Sequence, residues 1–185
     1  MGGKTKKCQH CDSEFQPFKS TDKACSTDCA KALQKVKKIK PKKKKKPKAL
    51  SIGKLTDKAA TLLQRLVRLK ASDDNGYCSC VTCGKVDHFK KMDGGHFIER
   101  GVKATKLMEE NVNPQCKGCN GFGMKYKSSV VLDYRRYMVD MYGEEFVEEL
   151  EMAKHKTHKF YRPELEEMII ELSERVREQE KRIGV

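Results

Sequence analysis

The sequence predicts an α+β protein with a small hairpin core held by zinc, a long helical C-terminal region and an N-terminal zinc module. Nine cysteines fall mostly in closely spaced pairs, the middle of the chain is rich in glycine, and the last third carries apolar residues at helical spacing. Only 37% of the residues are hydrophobic and none is tryptophan, so the chain has little material for a self-sufficient core. We therefore expect bound metal to contribute to its stability.

The order of these features predicts four parts. Residues 1–33 form a module with four cysteines, residues 34–54 a lysine-rich flexible linker, residues 55–127 the hairpin core and residues 128–185 the helical region. Ten of the fourteen residues from Lys35 to Lys48 are lysine, and two prolines prevent a continuous helix there. We expect Thr56 to cap the first helix of the core.

Apolar spacing predicts three helices after residue 127. The first ends before Gly143, the second covers Glu144 to Ala153, and the third opens at Pro163. The apolar stripe of the third helix runs from Leu165 to Val176. It can pack within the chain or against a second copy, and the second alternative would make a homodimer.

The charge distribution predicts a nucleic-acid partner. The net charge is +14, yet residues 1–70 alone carry 21 basic and 5 acidic side chains, so the excess lies at the front of the chain. Such a concentration favours DNA over anionic lipid, and no apolar run is long enough to span a membrane. We expect a cytoplasmic protein that contacts phosphates through its lysine block, in particular Lys42, Lys43, Lys44, Lys45 and Lys46.

Two sets of cysteines have the spacing of structural zinc sites. A CxxC turn places two sulfurs on one ion, and a second pair completes the tetrahedron. The set in the core comprises Cys80, Cys83, Cys116 and Cys119, with 32 residues between its two pairs, which is room for a β-hairpin. The N-terminal set comprises Cys8, Cys11, Cys25 and Cys29. Cys78 offers an alternative register for the core site, but CxxC is the better turn and Cys78 is left as a spare thiol.

The residues between and after the core cysteines carry a second pattern. MDGGHF at residues 92–97 is followed by ENVNPQCKGCN at residues 110–120. The order of histidine, asparagine and a further asparagine after CxxC resembles the HNH nuclease motif and also phage endonuclease VII. The whole arrangement of a four-cysteine unit with CSxxC, a lysine-rich connector, CxxCG, DxGHF and NxxxQCxxCN is most similar to the phage NinG (Rap) family of recombination proteins.

These resemblances imply a ββα-metal core and a nuclease site. His96 would act as general base, Asp93 and Asn120 would bind one Mg²⁺ or Mn²⁺, and Asn111 would fix the loop and orient the His96 ring. The chemistry of the residues suits these roles, because a neutral imidazole accepts a proton from water and carboxylate and amide oxygens are hard ligands. The implied substrate is branched DNA such as Holliday junctions or D-loops, cut in a bacterial host during phage recombination, with recombination or replication proteins as further partners.

Other residues near the motif have weaker predicted roles. Lys125 and Lys127 either clamp a phosphate or lie at an exposed helix start. Gly94 and Gly95 would let the backbone approach a phosphate or turn the strand so that Asp93 and His96 face one ion. His88 is expected to be a loop residue without a catalytic role.

Two rival functions fit parts of the same sequence. A non-catalytic zinc protein that binds DNA, or a recombination accessory protein, explains the charge and the cysteines equally well but leaves Asp93, His96 and Asn120 unexplained. A sequence-specific homing-type or restriction nuclease would share the site and differ only in its substrate.

Overall fold

A computed structural model describes the protein over residues 4–39 and 49–185. The chain forms two compact units, Met1–Lys48 and Ala49–Val185. Both mix helices with short antiparallel strand pairs, so the predicted α+β class is confirmed. The lysines from Lys42 to Lys46, predicted to contact DNA, lie outside the described residues.

The N-terminal unit is a β-hairpin followed by a helix. Strands β1 (Lys6–Lys7) and β2 (Glu14–Phe15) pair antiparallel, and helix α1 covers Thr27–Ile39. The first cysteine pair lies in the hairpin turn, and the second lies at the start of α1. Helix α1 continues past residue 34, where the linker was predicted to begin.

The second unit begins with helix α2 (Ile52–Lys70), whose start was predicted too late. Ser51 is the capping residue, and its hydroxyl accepts a hydrogen bond from the backbone N–H of Lys54 at 3.4 Å. Thr56, the expected cap, lies inside the helix and donates its hydroxyl to the carbonyl of Ile52 at 2.9 Å. The helix therefore begins about one turn earlier than predicted, takes residues 52–54 from the predicted linker, and includes the buried Leu55 ahead of the expected cap.

Two antiparallel hairpins follow α2. Strands β3 (Tyr77–Ser79) and β4 (Val86–His88) form the first, and strands β5 (Met92–His96) and β6 (Val112–Cys116) form the second. The second is the hairpin expected between the cysteine pairs, with Met92 opposite Cys116 and His96 opposite Val112. Met92 and Val112 are buried in the same core as α2.

The helices after the hairpins agree with the predicted pattern. Gly143 adopts a φ of 84° and ends the helix before it, as expected of a glycine in that position. The elements are a π-helical turn (Cys119–Gly123), α3 (Met124–Tyr126), α4 (Ser128–Tyr142), α5 (Glu144–Ala153) and α6 (Arg162–Arg182).

Helix α6 packs against α2, so its apolar stripe is covered within the chain. The stripe residues Leu165, Ile169, Leu172 and Val176 are at most 7% exposed and belong to the core that contains α2. Arg182 then donates hydrogen bonds to the carbonyls of Leu69 and Ser72 at the end of α2. The internal alternative is correct because both amphipathic helices bury their apolar faces against each other.

A second apolar cluster joins α4 and α5 to the loop that follows β5. It consists of the buried residues Ile98, Tyr134, Met138, Val147 and Leu150. The hydroxyl of Tyr134 donates a hydrogen bond to the carbonyl of Gly95 at 2.8 Å, which fixes α4 against β5. Within residues 4–39 and 49–185, none of the helices combines the length and apolar character that crossing a membrane requires.

Candidate functional site

The four core cysteines converge on one point. Cys80 and Cys83 lie between β3 and β4, Cys116 ends β6, and Cys119 opens the π-helical turn. Their sulfurs all lie within 4.8 Å of one another, and the Sγ atoms of Cys83 and Cys116 are 3.8 Å apart. Sulfurs bound tetrahedrally at about 2.3 Å from zinc are separated by about 3.8 Å, so this set has the dimensions of a zinc site.

The acidities of these thiols also fit a cation site. Burial raises the pKa of Cys80, but the hydroxyl of Thr82 and backbone N–H groups outweigh burial and lower it to about 6. Burial and the neighbouring thiols raise the pKa of Cys119 to about 12. Four thiolates at this spacing repel one another, and a divalent cation removes that repulsion.

Cys78 does not join this cluster. It lies on β3, is 3% exposed and packs in the core with α2 and α6. The CxxC register was therefore the correct choice, and Cys78 is a buried apolar residue of the hairpin.

The N-terminal cysteines form a second site of the same dimensions. The Sγ atoms of Cys11, Cys25 and Cys29 are separated by 3.5, 3.7 and 3.8 Å, and Cys8 completes the set. Backbone N–H groups of Cys11 and His10 donate to the Cys8 sulfur and lower its pKa to about 6. Each compact unit thus contains one group of cysteines that fits zinc.

A cleft beside the core cysteines contains most of the residues predicted for catalysis. Its volume is about 660 Å³, and it lies between α2, the β5 strand and the helices that follow Cys119. Asp93, His96 and Asn120 all line it, while Asn111 does not. The other lining residues are Gln64, Arg68, Gly94, Phe97, Glu99, Arg100, Met124 and Val131.

Asp93 and Asn120 are in direct contact at this cleft. The Asn120 side-chain nitrogen donates to Asp93 Oδ2 at 3.0 Å, although the two positions are 27 apart in the sequence. The contact exists because Asn120 follows Cys119 directly and the cysteine set fixes that turn beside β5. A half rotation of the amide would present its oxygen, so the pair offers two hard oxygen donors of the kind that Mg²⁺ and Mn²⁺ prefer.

The orientation of His96 is set by a backbone carbonyl. His96 Nε2 lies 3.1 Å from the carbonyl oxygen of Lys106, which can only accept a hydrogen bond. The proton of the neutral ring therefore sits on Nε2, and Nδ1 carries the lone pair. Burial, opposed by this hydrogen bond and assisted by the charges of Arg100 and Lys106, lowers the pKa of His96 and favours the neutral ring.

Lys106 is itself held by an ion pair with α2. Its Nζ lies 3.1 Å from Asp57 Oδ1, and Arg100 is 3.8 Å from the same oxygen. The Lys106 side chain is only 16% exposed. The loop that orients His96 is thus attached to α2 by charge as well as by packing.

Asn111 makes no hydrogen bond to the His96 ring among the described residues, so it does not orient that ring directly. Its buried amide accepts from the N–H of Ile98 at 2.7 Å and donates to the carbonyls of Ile98 and Thr105, both at 3.0 Å. These bonds close the loop from Ile98 to Thr105 around one side chain. Asn111 therefore holds the loop closed and reaches His96 only through the backbone that carries Lys106.

Close packing requires both glycines of β5. A Cβ at Gly94 would lie 2.7–2.8 Å from the Cα and Cβ of Gln64 on α2. A Cβ at Gly95 would lie 1.9 Å from Oε1 of Gln115. The glycines let α2 and the Gln115 side chain pack directly against the strand, and this close packing brings β5 to the cleft.

Sequence reasoning missed two arginines of the cleft. Arg68 belongs to no recognisable motif, but it donates to the carbonyls of Phe89 and Met92 at 3.0 and 2.9 Å. Arg100, in the loop after β5, is the second. Helical periodicity could have assigned Arg68 to the cleft only if the position of the hairpin across α2 had been known. Lys125 and Lys127 are exposed just beyond the cleft and do not line it.

Comparison with known proteins identifies the family. The family described as "Bacteriophage Lambda NinG protein" matches residues 2–182. "Protein ninG" of Escherichia phage 933W is 28% identical over 82 residues, covering 44% of this chain and 38% of that protein. "Protein ninG" of Escherichia phage lambda is 28% identical over 82 residues, covering 44% and 37%.

The chain thus aligns with less than two fifths of the length of these curated relatives. No solved structure matches it. The family match spans both cysteine sets, both hairpins of the second unit and the C-terminal helices, and the chain belongs to the NinG family of bacteriophage proteins.

Proposed function

We propose that this protein is a metal-dependent DNA endonuclease of the HNH type, acting on branched DNA during phage recombination. The observation that carries the proposal is the meeting of His96, Asp93 and Asn120 at one cleft. Two of these residues lie on β5, and the third follows the last cysteine of the zinc set. A protein that only bound DNA would not require an oriented histidine beside two hard oxygen donors.

The residues of the cleft suit phosphodiester hydrolysis. The attacking water must lose a proton, and Nδ1 of His96 can accept it because Nε2 is committed to the Lys106 carbonyl. Arg68 and Arg100 line the same cleft and would offset negative charge on the phosphate. Asp93 and Asn120 would hold the divalent cation, which when bound supplies positive charge at the scissile phosphate.

Zinc has a separate, structural role in this proposal. The core cysteine set connects the turn after β3 to the end of β6 and to the residue before Asn120. Its four positions are filled by sulfur, which leaves no open position for substrate. The preference for branched DNA, and the part in recombination, rest on the resemblance to the NinG and endonuclease VII families.

The test is cleavage of an end-labelled four-way junction and a linear duplex of the same sequence, with Mg²⁺ or Mn²⁺. Wild type is expected to nick the junction, and His96→Ala to lose at least about a hundredfold in single-turnover rate while keeping its affinity for DNA. His88→Ala is the matched control. That histidine packs against Tyr77 and Phe89 in the first hairpin and does not line the cleft.

The outcomes separate the rival functions. Failure of the wild-type protein to nick branched DNA with either cation would overturn the nuclease proposal and leave a zinc protein that only binds DNA. Equal cutting of the linear duplex at one sequence would instead support a sequence-specific nuclease.

A further inference from the structure

Two large aromatic side chains are exposed next to the cleft. Phe122 is 61% exposed and Tyr126 is 63% exposed. They are four residues apart on the turns that follow Cys119, and their ring centroids are 4.9 Å apart with an interplanar angle of 41°. Neither ring belongs to either apolar core. Exposing two adjacent aromatic faces forgoes the free energy of burial, which points to a ligand that covers them.

Lysines surround these rings. Lys125 Nζ lies 5.2 Å from the Tyr126 ring centroid, and Lys127 Nζ lies 5.8 Å from the Phe122 ring centroid. The sequence from residue 117 to residue 127 contains three lysines and no acidic residue. Positive charge interleaved with exposed aromatic rings suits a ligand with both flat rings and phosphates, which describes a nucleic-acid strand with exposed bases.

The aromatic pair lies on the same helical turns as two residues of the cleft. Asn120 and Met124 line the cleft, and Phe122 and Tyr126 each follow two residues later, which places the rings on the outward side of these turns. A strand bound in the cleft would therefore reach the rings where it continues around these turns, beyond the scissile phosphate. In an intact duplex the bases are stacked inside the helix and cannot cover a protein ring, whereas bases at a gap, flap or branch point can.

We propose that Phe122 and Tyr126 form a stacking platform for unpaired DNA bases beyond the scissile phosphate, with Lys125 and Lys127 binding the adjacent backbone. This inference rests on the proposed function for the position of the phosphate, and it gives that function a physical basis for substrate choice. Discrimination comes from base stacking, which does not depend on base identity, so the platform selects DNA structure and not sequence.

The test measures binding by the full chain in EDTA-free buffer with Ca²⁺, separately from cleavage. The ligands are a fully paired duplex and the same duplex with a short single-stranded flap that carries 2-aminopurine beside the junction. Wild type is expected to bind the flap DNA at least about tenfold more tightly and to change the 2-aminopurine fluorescence, because one stacked base contributes roughly five- to hundredfold in affinity. Phe122→Ala/Tyr126→Ala should lose both effects and keep its affinity for the duplex.

Tyr161→Ala is the matched control. Tyr161 is 54% exposed and also has a lysine beside its ring, with Lys159 Nζ at 5.5 Å, but it does not line the cleft. This variant should bind both DNAs as wild type does. Lys125→Gln/Lys127→Gln should weaken binding of duplex and flap DNA to the same extent and reduce the dependence of affinity on salt.

Two results would overturn the platform. One is equal affinity of wild type for duplex and flap DNA, and the other is an unchanged flap preference in the Phe122→Ala/Tyr126→Ala variant. If that variant instead altered sedimentation of the free protein, the rings would be a protein interface. Failure of the nuclease proposal would appear as absent nicking while these binding differences persisted, so the two proposals fail separately.

Discussion

The contact between Gly95 and Gln115 allows a quantitative test of the packing that supports the cleft. A methyl group at Gly95 would lie 1.9 Å from Gln115 Oε1 and 2.7 Å from its Cδ, so the side chain would have to move by more than about 1 Å. Gln115 is completely buried, and neither of its amide atoms has a hydrogen-bond partner within the described residues. Overpacking of this kind costs about 1–3 kcal/mol.

The φ of Gly95 is not positive, so the backbone there can accept alanine. Alanine also reduces the conformational entropy of the unfolded chain, which by itself would raise the free energy of unfolding by about 0.4–1 kcal/mol. We therefore expect Gly95→Ala to lower the free energy of unfolding by up to about 2.6 kcal/mol in wild type and to be neutral or stabilising in a Gln115→Ala background. Gly94→Ala is the control. It meets the Cα of Gln64 at 2.8 Å, so no side-chain truncation at Gln64 relieves it.

The measurement is urea denaturation of the zinc-saturated protein, followed by circular dichroism, for the four members of the double-mutant cycle. In the contrary outcome, Gly95→Ala lowers the free energy of unfolding equally with and without the Gln115 side chain. That result would show that the two residues do not compete for space and would refute the packing argument.

Three further predictions follow from the site. Removing zinc with a chelator, or replacing Cys119 with serine, should abolish cleavage and lower the thermal unfolding midpoint, because the core cysteines position Asn120. Unchanged cleavage by a protein that metal analysis shows to lack zinc would contradict this. Asn111→Ala should lower the free energy of unfolding by at least about 2 kcal/mol in urea titrations, because the buried backbone groups of Ile98 and Thr105 lose their hydrogen-bond partner. A decrease below about 0.5 kcal/mol would contradict the role of Asn111 in the loop. Burial lowers the pKa of His96, so its neutral form persists to lower pH than usual. In a pH profile of the cleavage rate, the midpoint of the acid limb should therefore lie below the usual histidine range. A midpoint above about 7 would contradict this.

The sequence predicted the α+β class, the two cysteine sets and the C-terminal helices because each depends on local spacing. CxxC turns, Gly143 and the Leu165 to Val176 stripe act within a few residues of themselves. The helix start at Ile52 was missed because Thr56 and Ser51 are both good caps, and only the burial of Leu55 distinguishes them.

The finer geometry of the candidate site could not be predicted in this way. The Lys106 carbonyl that orients His96 belongs to the backbone and has no signature in the residue type. The positions of Arg68 and the aromatic pair depend on how the hairpin crosses α2 and how the chain turns after Cys119. The contact of Arg68 with Phe89 joins positions 21 residues apart, which periodicity does not encode.

Binding of Mn²⁺ to the zinc-saturated full chain tests the central claim most directly, because it asks whether the cleft gathers a hard cation beside His96. In an electron paramagnetic resonance titration, we expect wild type to bind a single Mn²⁺, His96→Ala to retain it, and Asp93→Ala to lose it while keeping its zinc and its fold. If the Asp93→Ala protein binds Mn²⁺ as wild type does, or if wild type binds none, the assignment of a catalytic metal to this cleft is contradicted.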